Sequence, residues 1–294
     1  MQVIEQKLEV LEPLAKRLVA LDSAAERGEL LASTPQVEEF LSSHPDLIVQ
    51  LPQLSDEERC VLFAMICMGE AERFSVIFKE PQNLLKFHRL LRSLIDTEQF
   101  YSSLGGIVGY HATFLRLLLE EEAPPEHPTH YLTPPVTDLT HETPEIKRFI
   151  FSGIENLGRT AFIFPVGGAG DRLNLVDPLT KEPLPAAKLN FGGQSLLEIL
   201  FEYVQGLEYL HYKLFGKQVT VPIALMASQE KSNYEHITSI CDHHFWFHRD
   251  VKNILFCTQP LSPVITVEGN WAFRTPFELH MKPGGHGVIW KLAI

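Results

Sequence analysis

The residues of this 294-residue chain best suited to chemistry begin at Val166-Gly167-Gly168-Ala169-Gly170-Asp171-Arg172-Leu173, directly behind the apolar run Thr160 to Pro165. Glycines at a strand exit let backbone N–H groups meet an anion with no Cβ in between, and Arg172 adds a fork that binds phosphate bidentately. The spacing belongs to neither familiar phosphate loop. A dinucleotide fingerprint starting at Gly168 meets Leu173 where its third glycine belongs, and no Gly-Lys-Ser/Thr follows for a P-loop. The plainer alternative is a glycine-rich strand exit with a surface arginine. Further on, Leu184-Pro185-Ala186-Ala187-Lys188-Leu189 sets a lysine after a proline turn, from which it can swing onto a phosphate; alone, it reads as solvated. Lys282-Pro283-Gly284-Gly285-His286-Gly287 offers more bare backbone, with His286 as a neutral donor or a cation. Three such features at strand ends point to a nucleotide crevice outside the carboxyl edge of a sheet.

The elements that must position these residues follow from periodicity. Residues 1–122 read as an all-helical domain: Leu8, Leu11, Leu14 and Leu18 share one helical face, and Ser55-Asp56-Glu57-Glu58 is a capping box ahead of Val61-Leu62-Phe63. Further helices are predicted over Asn83 to Thr97 and Ile107 to Glu121, their apolar stripes being core. Residues 123–145 hold six prolines and read as a linker. In residues 146–294 a short helix (Ile146 to Glu155) precedes a buried strand (Thr160 to Val166), a helix (Gln194 to Tyr212), a strand (Thr220 to Met226), a helix (Lys231 to Phe245) and a strand (Asn253 to Cys257). That alternation predicts an α/β domain with a mainly parallel sheet. Val264 to Val267 and Trp271 to Phe273 add a hairpin around Glu268-Gly269-Asn270. A helix starting at Val288 is too short to stand alone, so a fragment of a longer protein is expected.

Composition narrows the function classes. No apolar window approaches the roughly 18 residues of a membrane helix. Glu5, Glu9 and Glu12 fit neither a secretory signal nor a transit peptide, so a cytoplasmic location is expected. Cys60, Cys67, Cys241 and Cys257 form no CxxC pair and suit buried thiols in a reducing compartment. The net charge of −12 is concentrated in residues 1–150, with 24 acids against 13 bases, while residues 151–294 carry 13 against 12. That balance disfavours nucleic acid and leaves a small phosphate ligand held locally in the second half. Cys241, His244 and His248 have helical spacing for zinc, but Phe245-Trp246-Phe247 between them favours a helix end packing aromatics. His127 and His130 read as solvated linker, and Glu120-Glu121-Glu122 as a charged helix end that the dipole disfavours.

The ordered set Gly167-Gly168-Ala169-Gly170-Asp171-Arg172-Leu173, Lys188, Met226-Ala227-Ser228, Gln259-Pro260 and Pro283-Gly284-Gly285-His286-Gly287 resembles the UDP-sugar pyrophosphorylase family, the UTP:sugar-1-phosphate uridylyltransferases. Its plastid-type UDP-glucose branch matches best, through Leu-Pro-Ala-Ala and Gly-Gly-His-Gly-Val-Ile-Trp-Lys-Leu-Ala. The resemblance covers residues 146–294 and implies a Rossmann-like nucleotide-binding domain that takes UTP and a sugar 1-phosphate, most naturally glucose 1-phosphate, to UDP-sugar and pyrophosphate. It implies that Gly167, Gly168 and Gly170 cradle the nucleotide, with Arg172 on the triphosphate and Lys188 on phosphate. Gln259 would read the uracil edge, Gly285 would meet the base through its backbone, and His286 would sit near the sugar phosphate. It also implies Mg²⁺, held by an aspartate beyond the Gly-His-Gly loop, where further sugar-reading residues and a second lysine would lie. Two positions depart from the family pattern: Asp171 where a small hydroxyl residue is usual, and Ala187 where proline is usual. The rival expectations are a nucleotide-binding regulatory protein without turnover and a helical scaffold that captures partners through residues 1–122.

Overall fold

The computed structural model describes residues 2–71, 81–122, 132–168 and 173–292, and the chain forms two compact units. One comprises residues 1–129 with 262–282, the other residues 130–261 with 283–294.

The first unit begins with helices α1 (Gln2–Val19), α2 (Ala24–Ala32), α3 (Pro35–Ser43), α4 (Pro45–Gln50), α5 (Asp56–Cys67), α6 (Pro81–Phe100) and α7 (Gly106–Glu122). Capping boxes start α2 and α5: Ser23 and Ser55 each accept the N–H of a glutamate three residues on, which bonds back to the serine N–H. From Cys60 to Met68 every residue is buried, so α5 runs through the middle of the core and meets Leu31, Phe87, Leu91 and Leu115 there. Buried Arg27 of α2 pairs with Glu98 of α6 at 3.1 Å, and the other Glu98 oxygen takes the Ile107 N–H at 2.7 Å. A Cβ at Gly106 would overlap that carboxylate, which is why α7 starts on a glycine.

The second unit holds α8 (Pro144–Glu155), β1 (Phe162–Pro165), the short antiparallel pair β2 (Asn190–Phe191) and β3 (Gln194–Ser195), α9 (Leu196–Phe215), β4 (Ile223–Ala227), α10 (Asn233–His243) and β5 (Ile254–Thr258). Among the described residues β1, β4 and β5 form a parallel sheet in the order β1-β4-β5, with Phe162 opposite Ile223 and Ile223 opposite Ile254. The α/β architecture predicted from the alternation is therefore present. Leu197, Phe201 and Val204 of α9, and Ile237, Ile240 and Cys241 of α10, bury against Ile223, Leu225 and Ala227 of the central strand. Where the apolar run predicted a buried strand, β1 alternates between half-buried and exposed, because it is an edge strand. Pro165, which lacks an N–H to donate, sits at its end.

After β5 come β6 (Leu261–Pro263), β7 (Phe273–Thr275), β8 (Glu278–Leu279), β9 (Met281–Pro283) and the short helix α11 (Ile289–Leu292). The domain boundary read from sequence is corrected here: residues 262–282 belong to the helical unit. The predicted hairpin forms, with Ile265 bridged to Trp271 and the Thr266 N–H donating to the Asn270 carbonyl at 2.8 Å. Its apolar side joins the helical core, with Trp271 only 1% exposed beside Ile265 and Leu279. Polar groups lock it in place. Lys7 Nζ donates to the Gly269 carbonyl at 3.1 Å and to Asn270 Oδ1 at 2.8 Å, and Glu70 takes the Trp271 backbone N–H at 3.0 Å. His111 Nε2 donates to the Gly269 carbonyl at 3.0 Å, and burial with the nearby Lys7 charge pushes its pKa down to about 4.

Candidate active site

Three segments of the site follow directly on the carboxyl ends of the three parallel strands. Val166-Gly167-Gly168 leaves β1, Ser228 leaves β4 and Gln259 leaves β5. This is the edge at which open parallel sheets bind ligands.

Gly167 is where the chain passes closest to its neighbours. A Cβ there would lie 2.8 Å from both the Ala227 carbonyl carbon and Gln259 Nε2, so only glycine fits without displacing them. Its carbonyl accepts two hydrogen bonds, from Ser228 Oγ at 2.8 Å and from Gln259 Nε2 at 3.2 Å. The preceding carbonyl, of Val166, accepts from Asn233 Nδ2 at 2.8 Å, while Asn233 Oδ1 takes the Ser228 N–H at 2.9 Å. Ser228 and Asn233 are fully buried and Gln259 is 2% exposed. The N–H groups of Gly167 and Gly168 have no acceptor among the described residues.

Gln259 carries the sharpest signal. Its Oε1 is buried and has no hydrogen-bond partner among the described residues. An orphaned buried acceptor costs about 1–3 kcal/mol, and a ligand donor would recover it. A ligand N–H would be such a donor, and the second Nε2 hydrogen remains for a neighbouring carbonyl.

His286 arrives from the other end of the second unit. A Cβ at Gly168 would meet its Nε2 at 3.6 Å, so imidazole and glycine turn are neighbours. Gly285, with φ +87°, is exposed, and its left-handed φ is one that side chains resist. Gly167, Gly168, Gln259 and His286, widely separated in sequence, thus meet in space. Gly170 and Arg172, with Asp171, lie outside the described residues. Lys188 closes a 3-10 turn, Ala186–Lys188, over buried Ala187. Its charge reaches half-buried His236 on α10, whose pKa is lowered first by burial and then by Lys188. Half-buried Asp177, held below the ordinary carboxylate value by the Thr180 and Leu179 N–H groups, also feels Lys188. No hydrogen bond joins Lys188 to Gly167 or Gly168.

The zinc spacing is not helical. Helix α10 ends at His243, and residues 245–248 form a turn in which each φ is positive, between 49° and 56°. His244 pairs with Glu198 at 3.0 Å and stacks on Phe247, and buried Cys241 has its pKa raised to about 12. No cluster of three or more His, Cys, Asp or Glu suited to a metal occurs among the described residues, and Asp171, the carboxylate of the glycine turn, lies outside them. His127 and His130 lie outside the described residues.

The sequence reading assigned no role to Ser228 and none at all to Asn233. The available signal was a serine at a strand exit and an asparagine five residues on, at the next helix start.

No protein-family model matches the chain. It is 41% identical over 239 residues to "UTP--glucose-1-phosphate uridylyltransferase 3, chloroplastic" of Arabidopsis thaliana, covering 76% of this chain and 27% of that protein. It is 26% identical over 137 residues to human "UDP-N-acetylhexosamine pyrophosphorylase-like protein 1", covering 46% of this chain and 25% of that one. The fold is shared with the uridine diphosphate N-acetylglucosamine pyrophosphorylase from Trypanosoma brucei, with a TM-score of 0.50 and 17% identity over 82% of this chain and 46% of that one. The fold is therefore of the nucleotidyltransferase type. The chain belongs to the UDP-sugar pyrophosphorylase family. It spans about a quarter of the length of the curated relatives it matches. No helix among the described residues is long and apolar enough to cross a membrane.

Proposed function

We propose that this protein transfers UMP from UTP to a sugar 1-phosphate, giving a UDP-sugar and pyrophosphate, and that the sugar is glucose. The observation that carries the reading is the orphaned Gln259 Oε1 beside a glycine turn, two of whose N–H groups have no acceptor among the described residues, at the carboxyl edge of a parallel sheet. The preference for glucose rests on the name of the 41%-identical relative, set against the N-acetylhexosamine in the name of the 26%-identical one.

The chemistry asks little of side chains as acids or bases. A phosphate oxygen of the sugar 1-phosphate, already ionised at neutral pH, attacks the α-phosphorus of UTP in line. The new P–O bond forms as the bond to the bridging oxygen breaks, and pyrophosphate departs with the electron pair. What the protein supplies is alignment and charge neutralisation. Gln259 holds the base, the Gly167 and Gly168 N–H groups face the phosphates, and Lys188 and Arg172 bring positive charge. His286 stands beside the turn, within reach of the sugar phosphate.

Calorimetry with UTP and UDP-glucose, each as the magnesium complex, tests binding. Release of pyrophosphate from UTP plus glucose 1-phosphate, or plus N-acetylglucosamine 1-phosphate, tests turnover and the sugar. Heat with UTP but no pyrophosphate supports the non-catalytic alternative; absence of heat with either nucleotide sinks the reading.

A further inference from the structure

We infer that Ser228 and Asn233 are positioning residues: by holding the Val166 and Gly167 carbonyls they fix how the glycine turn and the Gln259 amide face the nucleotide, and so set its preference for uracil over cytosine. The inference rests on the UTP reading above and adds to it the residues that make the base choice.

The argument starts from the peptide plane. No peptide bond of the described chain is cis, and in a trans peptide the C=O and the following N–H point in opposite directions. Holding the Val166 carbonyl on Asn233 Nδ2 and the Gly167 carbonyl on Ser228 Oγ turns both oxygens toward buried donors. It necessarily turns the Gly167 and Gly168 N–H groups the other way. Glycine has the freedom to flip such a peptide, so the direction must come from its partners.

The same carbonyl decides which end of Gln259 meets the ligand. A carbonyl oxygen accepts and cannot donate, so the amide end lying 3.2 Å from Gly167 must be Nε2. Oε1 is then the end left facing the base as an acceptor. Uracil offers N3–H to it; cytosine offers a lone pair at N3, and two acceptors repel. Were the Gly167 carbonyl to turn away, the amide would be free to rotate and the discrimination would fall.

Asn233 is the hub of this arrangement. One amide ties three segments, accepting from the Ser228 N–H, donating to Val166, and standing at the first turn of α10. The chain reaches it through Lys231 and Ser232, both left-handed, at φ 51° and 49°. Two successive side-chain-bearing residues in that region are costly, and such strain persists only where surrounding contacts fix it.

The test is titration of the parent, Ser228→Ala and Asn233→Asp with UTP and with CTP, alongside thermal melting. Ser228→Ala removes a donor to Gly167; Asn233→Asp keeps the acceptor for Ser228 and loses the donor to Val166. Both variants are expected to lose UTP affinity about tenfold and to show a reduced UTP:CTP ratio. Ser228→Ala is expected to melt within about 5 °C of the parent, and so guards against an unfolded Asn233 variant. If the parent prefers UTP and the variants keep that ratio, whether affinity is unchanged or falls equally for both nucleotides, the positioning role is overturned while the UTP reading stands. A parent that binds neither nucleotide, or both alike, overturns the UTP reading and this inference together.

Discussion

At the scale of single residues, adjacent glycines differ in what they tolerate. Gly167→Ala places a methyl 2.8 Å from both the Ala227 carbonyl carbon and Gln259 Nε2, whereas Gly168→Ala brings one only to 3.6 Å from His286 Nε2. UTP titration is expected to show a loss of more than about tenfold for the first and less than about threefold for the second. Equal effects would mean that the close approach at Gly167 is unimportant. Lys188→Ala and Arg172→Ala are each expected to lose roughly 1.5–3 kcal/mol of UTP binding in the same titration, the scale of hydrogen bonds to charged groups. Gln259, His286 and the first glycines of the turn, which the structure brings together, were singled out by the order of the motifs and the family resemblance. Ser228 and Asn233 were not legible as site residues, because they act on backbone carbonyls, and which carbonyl a buried amide reaches is settled only by tertiary structure.

At the scale of elements, the helices were readable because their causes are local. Ser55 with Glu58, and Ser195 with Glu198, close capping boxes within a single turn. Ser195→Ala is expected to cost about 1 kcal/mol in chemical denaturation, with Gln259 unaffected. The ion pair between α2 and α6 was not readable, since Arg27 and Glu98 are 71 residues apart. Removing the arginine leaves a buried carboxylate whose pKa burial already raises. Arg27→Met is expected to destabilise the chain by about 3–5 kcal/mol, and a loss below 1 kcal/mol would show that Glu98 simply takes up a proton. The left-handed turn after α10 was also hidden. Its strain is offset by Phe247, which stacks on Phe201 at 4.1 Å and on His244 at 5.2 Å, and no local pattern announces that packing.

At the scale of the whole molecule, the predicted order of helical half, linker and sheet half missed that residues 262–282 return to the helical unit. The hairpin itself was visible in its turn residues; its seat depends on Lys7, Glu70 and His111, far away in sequence. Trp271→Ala is therefore expected to cost about 3–5 kcal/mol of helical-unit stability although it lies in the second half of the chain. His111 makes that seat acid-sensitive. Its folded pKa of about 4 lies below the ordinary 6.5, so between those values the unfolded chain binds a proton that the folded one refuses. The contribution is full above pH 6.5 and lost as pH falls toward 4, about 3 kcal/mol in all. Denaturation curves across that range are expected to flatten in His111→Gln, and an unchanged slope would assign the acid sensitivity elsewhere. The returning hairpin also has a consequence for synthesis. At about 5–20 residues per second, a ribosome needs roughly 7–30 s after finishing α7 to deliver Trp271. Throughout that interval the nascent helices lack one wall of their interior, and the chain's N-terminal half cannot mature ahead of its C-terminal half.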